Sequence, residues 1–228
     1  MRSALSRFFV VTLFSAGAFC LFMSYPAPVA RADDKATTLE LDGLDLYQHG
    51  DVNGAIEKFR QALALKPNDK GIHSNLAEFL NNAGVTLYEN KDYAGAIAKF
   101  QEAVSLAPSF KKARENLGMA QAAQLNADGN ALYKIGNFEG AADKFHQALV
   151  ADPTNASARV NLDLAQTEIL SKSGDFAGAV AKLQDALSVT PSSQMIQNRL
   201  AVAQAALLDA QQKAAAEAAK EKDTKPSP

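Results

Sequence analysis

Apolar residues recur three and four positions apart along most of the chain, from about residue 37 to residue 208. Ala55, Phe59 and Ala62 show this spacing in one segment of the pattern. Residues spaced in this way lie on one face of an α-helix, because the helix turns once every 3.6 residues or so. The pattern therefore predicts an all-α protein whose helices each bury one apolar face.

The apolar pattern occurs four times with the same internal spacing. Each copy has Ala, a large apolar residue four positions later, Ala three positions after that, and Pro after five more. The copies are Ala55-Phe59-Ala62-Pro67, Ala96-Phe100-Ala103-Pro108, Ala141-Phe145-Ala148-Pro153 and Ala179-Leu183-Ala186-Pro191. Such repetition indicates a stack of similar structural units.

A turn signal precedes each copy. The four signals are Leu46-Tyr47 with Gly50-Asp51, Leu87-Tyr88 with Lys91-Asp92, Leu132-Tyr133 with Gly136-Asn137, and Leu170-Ser171 with Gly174-Asp175. Gly ends a helix readily because it adopts positive φ without strain, and Asp or Asn caps the helix that follows. Each copy thus predicts a helical hairpin, although Lys91 weakens the stop signal in the second one.

These residues resemble the tetratricopeptide-repeat family, in which Leu-Gly, Tyr, Ala-x3-Phe and Pro recur in this order. The resemblance covers residues 37–208 and implies an α-α superhelix of four helical hairpins with a C-terminal capping helix. The repeats are expected at about 37–68, 77–109, 122–154 and 160–192, and the cap at 193–208.

The repeats are longer than the family period of about 34 residues. The aligned Ala residues lie 41, 45 and 38 positions apart, which leaves about 7, 11 and 4 surplus residues. Two, three and one helical turns need about these numbers of residues. The surplus therefore predicts elongated first helices. The alternative is a loop. Asn126 to Asn130 is the weakest helical stretch, and it is where a continuous helix could kink.

Residues 1–32 have the layout of a secretory signal peptide, with Arg2 and Arg7 before an apolar stretch from Phe8 to Met23. Small residues at Ala30 and Ala32 are typical of a processing site, so we expect cleavage after Ala32. An uncleaved membrane anchor is the alternative. However, the 16 apolar residues would span about 24 Å, which is less than a bilayer core of about 30 Å.

This leader predicts a periplasmic or secreted protein. A protein anchored in the inner membrane is the less favoured alternative, and its contact with the membrane would be through the uncleaved signal segment only. Cys20 is the one cysteine and lies inside the leader, so the mature chain would have no thiol. Removing the three Arg of residues 1–32 leaves 20 basic against 25 acidic residues. Such a chain has no basic excess that would favour nucleic acid.

The sequence contains no motif that indicates catalysis. His49, His73 and His146 have no second His three or four positions away, so no metal site is expected. No Gly-rich phosphate loop, nucleophile elbow or zincin motif occurs either. We therefore expect no catalytic residues, no cofactor and no metal.

The resemblance implies a concave groove in which a partner binds. Three aromatic residues match family positions that face the groove, and three amides match an Asn that can bond a peptide backbone in related proteins. These candidate partner-binding residues are Tyr47, Tyr88, Tyr133, Asn75, Asn116 and Asn161. The alternative is that the same side chains pack between neighbouring hairpins.

The sequence thus favours a non-enzymatic scaffold of the bacterial cell envelope that binds a peptide or protein partner in this groove. One alternative is an envelope enzyme, or its regulatory subunit, that uses groove carboxylates. Another is a structural protein that self-associates through the Ala-rich segment 209–228. That segment is expected to form a helical arm with a disordered tail, or else a weak coiled coil.

Overall fold

The computed structural model describes the backbone of residues 28–223. This part of the chain contains nine α-helices and no strand, which confirms the all-α prediction. The helices are α1 (Pro28–Gln48), α2 (Val52–Leu65), α3 (Lys70–Glu89), α4 (Tyr93–Leu106), α5 (Lys111–Lys134), α6 (Phe138–Ala151), α7 (Ala156–Ser173), α8 (Phe176–Val189) and α9 (Gln194–Asp223).

The helices pair in chain order into four hairpins, and α9 packs on α8 as a cap. The first helices of successive hairpins also touch, α3 with α5 and α5 with α7. We call the odd-numbered helices the inner layer and the even-numbered helices the outer layer. In the outer layer Arg60 of α2 donates to Glu102 of α4 at 2.7 Å. The arrangement is the expected α-α superhelix.

The turns inside the hairpins follow the sequence signals. Gly50, Gly136 and Gly174 have φ of 86°, 79° and 83°, the left-handed conformation that costs Gly little. Asp51 then accepts a hydrogen bond from the backbone N–H of Gly54 at 2.8 Å, and so caps α2. The caps of α4, α6 and α8 have the same geometry.

Each of the first three hairpins packs an aromatic ring of its second helix against a Gly of its first helix. The pairs are Gly43 with Phe59, Gly84 with Phe100, and Gly129 with Phe145. A Cβ added at any of these Gly residues would lie 2.6 Å from the ring. The ring therefore fills the space that a side chain would otherwise occupy, and the two helices approach closely.

The fourth hairpin has a different pair at the same two positions. Thr167 and Leu183 stand 16 residues apart, like the three Gly–Phe pairs, and both are buried. Leu183 on α8 is smaller than the Phe of the other hairpins, and Thr167 on α7 is larger than their Gly. Packing is complementary in all four hairpins.

The surplus residues lengthen the first helices, as predicted. Helices α3, α5 and α7 have 20, 24 and 18 residues, whereas each second helix has 14. Helix α5 runs without interruption through residues 126–130, so the loop is wrong at this place. Asn126 and Asn130 both accept from Asn161 of α7, at 2.9 and 3.2 Å, and Gly129 packs on Phe145. Tertiary contacts therefore stabilise a stretch that is weakly helical by itself.

The first and last helices of the described chain extend beyond the predicted repeat domain of residues 37–208. Helix α1 begins at Pro28 and continues through the predicted cleavage position after Ala32. The apolar stretch from Phe8 to Met23 and the tail 224–228 lie outside the described residues. Helix α9 is continuous to Asp223, so the cap and the arm form one helix. Within residues 28–223 every helix is too short or too polar to cross a membrane.

Candidate functional site

Polar side chains bridge the helices of the inner layer at each of its junctions. Four of their hydrogen bonds join residues that are 35 positions apart in the sequence. The pairs are Tyr47 with Asn82, Asn81 with Asn116, Asn126 with Asn161, and Tyr133 with Glu168. The spacing stays constant although the repeat period varies, so neighbouring first helices pack in the same register throughout.

Tyr47 is held between α1 and α3. Its hydroxyl accepts a hydrogen bond from the side-chain nitrogen of Asn82 at 2.6 Å. Its ring stacks on Phe79 with 4.4 Å between the ring centroids and an interplanar angle of 29°. The hydroxyl and one ring face are therefore engaged by the protein itself.

Tyr133 belongs to a cluster that joins three inner-layer helices. Arg199 of α9 donates to the Tyr133 hydroxyl at 2.7 Å and to Glu168 of α7 at 2.8 Å. The Tyr133 hydroxyl in turn donates to Glu168 at 3.1 Å. Burial raises the pKa of Tyr133, although Arg199 acts in the opposite direction. This cluster links the capping helix to the third and fourth hairpins.

The three candidate Asn residues differ in their surroundings. Asn116 donates to Asn81, which is only 1% exposed, at 2.8 Å. Asn161 donates to both Asn126 and Asn130. Asn75 is half-buried on α3, and its side chain has no hydrogen bond with another residue of the described chain. Two of the three amides thus serve the contact between hairpins.

Tyr88 is the candidate aromatic residue whose hydroxyl forms no hydrogen bond within residues 28–223. Its ring lies 5.5 Å from the ring of Tyr93, measured between centroids, at an angle of 57°. Burial raises the pKa of the Tyr88 hydroxyl, with smaller contributions from Tyr93 and Asp152. The side chain is half-buried, so both the hydroxyl and part of the ring remain available.

Two cavities lie side by side between α3 and α5. The polar cavity, of about 360 Å³, is lined by Ser74, Glu78, Asn81, Asn82, Ala107, Ser109, Phe110 and Lys112. The apolar cavity, of about 180 Å³, is lined by Val85, Tyr88, Glu89, Phe100, Asn116 and Met119. The hydrogen bond between Asn81 and Asn116 joins one lining residue of each cavity. Two candidate residues, Tyr88 and Asn116, are thus brought together at this junction.

Sequence reasoning missed most of the residues that line these cavities. Asn81 interrupts the apolar face of α3, and its position 35 residues before Asn116 is the signal that could have identified it. Glu78, Lys112 and Met119 have no distinguishing pattern in the sequence. Their proximity depends on how α3 packs against α5.

One carboxyl group is buried elsewhere, at the contact between α7 and α8. Asp163 is 5% exposed and lies 3.7 Å from Lys182. Burial raises the pKa of Asp163, whereas Lys182 acts in the opposite direction. The described residues include no group of three His, Cys, Asp or Glu side chains suited to a metal ion.

Comparisons with known proteins place the chain among helical repeats. A family model described as tetratricopeptide repeat matches residues 42–109, 81–128 and 126–168, so the matches span more than half of the chain. No curated protein sequence matches it.

Solved structures similar to the chain share little sequence with it. The C-terminal domain of a Plasmodium falciparum FK506-binding protein, which contains tetratricopeptide repeats, has 17% identity and a TM-score of 0.38. The match covers 63% of this chain and 96% of that domain. The second tetratricopeptide-repeat domain of human RPAP3, in complex with an HSP70 peptide, has 19% identity and a TM-score of 0.28. The match covers 59% of this chain and 98% of that domain. The tetratricopeptide-repeat domain of P58(IPK) has 15% identity and a TM-score of 0.31. The match covers 77% of this chain and 57% of that chain.

Proposed function

Because the chain belongs to the tetratricopeptide-repeat family, we propose that it is a non-enzymatic scaffold that binds a peptide or protein partner along its inner layer. Stacked helical repeats form extended surfaces that suit such binding. Tyr supplies contact area and a polar tip at a small entropic cost, and a free amide oxygen can accept a backbone N–H. The partner-binding role of Tyr47, Tyr88, Tyr133, Asn75, Asn116 and Asn161 is part of this proposal.

The junction between α3 and α5 carries the proposal. There Tyr88 and Asn116 line the apolar cavity, which lies beside the polar cavity. A partner can contact Tyr88 without displacing an intramolecular hydrogen bond of its hydroxyl. At Tyr47 and Tyr133 it would compete with bonds that the hydroxyls already make.

We further propose that the scaffold acts in the bacterial cell envelope, in the periplasm or outside the cell. The support is the layout of residues 1–32, with its basic start, apolar stretch and processing site. A chain released after Ala32 would retain residues 33–48 of α1, which include the buried Ala36 and Leu39.

Photocrosslinking in the producing cells tests partner binding. We expect a photoreactive residue at position 88 to capture a defined protein, identified by mass spectrometry, and one at 133 to capture the same protein in lower yield. Asp143, which is exposed on the outer-layer helix α6, is the control position. Capture at position 143 in the same yield as at 88 would contradict inner-layer binding, as would the lack of any captured protein at both 88 and 133.

A further inference from the structure

We infer that the junction between α3 and α5 binds an extended segment of the partner that carries an apolar side chain and, four positions away, Asn or Gln. The inference rests on the proposed function, and it specifies the chemistry that this junction recognises. The apolar side chain enters the cavity beside Tyr88, and the carboxamide enters the cavity beside Glu78 and Lys112.

Tyr88 lacks a stacked ring at the position that Phe79 holds beside Tyr47. Phe79 stands 32 residues after Tyr47 and stacks on its ring, whereas the residue 32 positions after Tyr88 is Ala120. Ala120 is fully buried and has no side chain that could reach across the ring of Tyr88. After Tyr133 the corresponding residue is Ala165. There, however, Arg199 of α9 contacts the tyrosine.

The apolar cavity suits a single side chain. Its volume of about 180 Å³ is below the roughly 300 Å³ at which small-molecule sites begin. Val85, Tyr88 and Met119 line it, and Met119 is 44% exposed. An apolar side chain placed there would cover exposed apolar surface of these residues, which is favourable in water.

The polar cavity suits a neutral group that both donates and accepts. Glu78 and Lys112 line it, both are exposed, and neither forms an ion pair with another residue of the described chain. An acidic side chain would be attracted by Lys112 and repelled by Glu78, and a basic one would be affected in the opposite way. A carboxamide donates its N–H to Glu78 and accepts from Lys112, so both contacts are charge-assisted.

The two cavities lie along the same stretch of α3 and α5. Their boundary includes the hydrogen bond of 2.8 Å between Asn116 and Asn81. Glu78 and Tyr88 are ten residues apart on α3, which is about 15 Å along the helix, and Lys112 and Met119 are seven residues apart on α5, which is about 10 Å. In an extended chain the side chains of residues four positions apart project from the same face, about 13 Å apart, which agrees with this separation. Asn116 donates to Asn81 through its nitrogen. Its oxygen is therefore available to accept a backbone N–H of a residue between the two side chains.

Selection from a phage-displayed library of random dodecapeptides on the immobilised full chain tests the inference. We expect enriched peptides to share an apolar residue and Asn or Gln at a spacing of four. For a synthetic peptide from this set, we expect Met119→Arg to weaken binding at least tenfold, because Arg fills and charges the apolar cavity. Glu78→Gln should weaken it about fivefold, through loss of one charge-assisted hydrogen bond.

Matched substitutions on the outer layer control for charge and folding. Val150→Arg and Glu139→Gln change exposed residues of α6 and should leave the affinity unchanged. Circular dichroism and the melting temperature establish that each variant is folded.

Enrichment of acidic or basic residues in place of Asn or Gln would overturn the inference, as would affinities that Met119→Arg and Glu78→Gln leave unchanged, or a selection without any enriched peptide. None of these results decides whether a partner binds in cells. The crosslinking yields at positions 88 and 143 measure that separately.

Discussion

Lys91 occupies the turn between α3 and α4 with a φ of 63°, the conformation that Gly adopts in the other three hairpins. An L-residue with a side chain pays about 1–2 kcal/mol for this backbone conformation. The neighbouring hydrogen bonds persist, since the N–H of Asp92 donates to the carbonyl of Leu87 at 2.9 Å. The turn therefore forms despite the residue that the sequence places in it.

Replacement of Lys91 by Gly should stabilise the protein by about 0.5–1 kcal/mol. The substitution removes the strain of positive φ, and the greater flexibility of Gly in the unfolded chain offsets part of the gain. Urea unfolding gives the change in free energy. Gly136→Lys is the matched control and should destabilise by a similar amount, because Gly136 has a φ of 79°. Destabilisation by Lys91→Gly would contradict this explanation of the turn.

The buried pair Thr167 and Leu183 provides a second test at single residues. Leu183→Phe alone should destabilise by about 1–3 kcal/mol, because the ring has no Gly opposite it and overpacks the contact. Thr167→Gly alone should also destabilise, since Gly lowers helix stability by about 1 kcal/mol and leaves a cavity.

The double variant Thr167→Gly with Leu183→Phe recreates the pair found in the other three hairpins. It should therefore be more stable than the sum of the single effects by at least about 1 kcal/mol, which urea unfolding of all four proteins measures as a coupling energy. Additive single effects would show that the two positions are independent, contrary to the complementary packing.

At this scale the sequence predicts the caps, the turns and the buried faces, because each depends on residues close together in the chain. The caps at Asp51 and Asn137 and the buried Phe59 illustrate this. The buried Asp163 was not predictable, because its contact with Lys182 depends on how α7 packs on α8.

At the scale of single helices, the elongated first helices were predictable from the sequence, because the surplus residues of each repeat amount to whole helical turns. From the sequence, the polar stretch at residues 126–130 of α5 allowed either a continuous helix or a loop. The continuous helix is explained by bonds from Asn161, a residue of the next hairpin. Helix propensity is a weak guide where tertiary contacts of this kind exist.

Helix α9 combines a buried cap with an exposed arm, and the two parts should differ in their contribution to stability. Ile196 is 1% exposed, whereas every residue from 211 to 220 is exposed. Ile196→Ala should lower the free energy of unfolding by about 2–4 kcal/mol, through lost apolar contacts and the cavity left behind.

Deletion of residues 213–228 should change the same quantity by less than about 0.5 kcal/mol. The main contact it removes from the described chain is the exposed ion pair between Lys213 and Asp209, and such pairs contribute little. Urea unfolding compares the two variants. A deletion as costly as Ile196→Ala would mean that the arm has a structural partner, as in the self-association considered from the sequence.

For the whole molecule, the sequence predicts the family, the number of hairpins and the cap. The tyrosines and amides chosen as candidates from the sequence lie at the junctions of the inner layer. Their contact with a partner stays a prediction. Which of these side chains the protein engages itself was not predictable. Asn82 and Arg199, which bond Tyr47 and Tyr133, belong to other hairpins and match no repeated motif.

The central claim is that a partner binds at the junction between α3 and α5. Methionine provides a direct probe, because the chain has four Met residues, of which Met119 lines the apolar cavity and Met195 is exposed on α9. With ¹³C-methyl methionine in the full chain, each NMR signal is assigned by a single Met→Leu substitution. A partner peptide identified by crosslinking or selection is then added.

We predict that the methyl signal of Met119 shifts in proportion to the bound fraction, while the signal of Met195 keeps its position. A shift of Met195 without one of Met119, or saturation of binding with both signals unchanged, would contradict the claim.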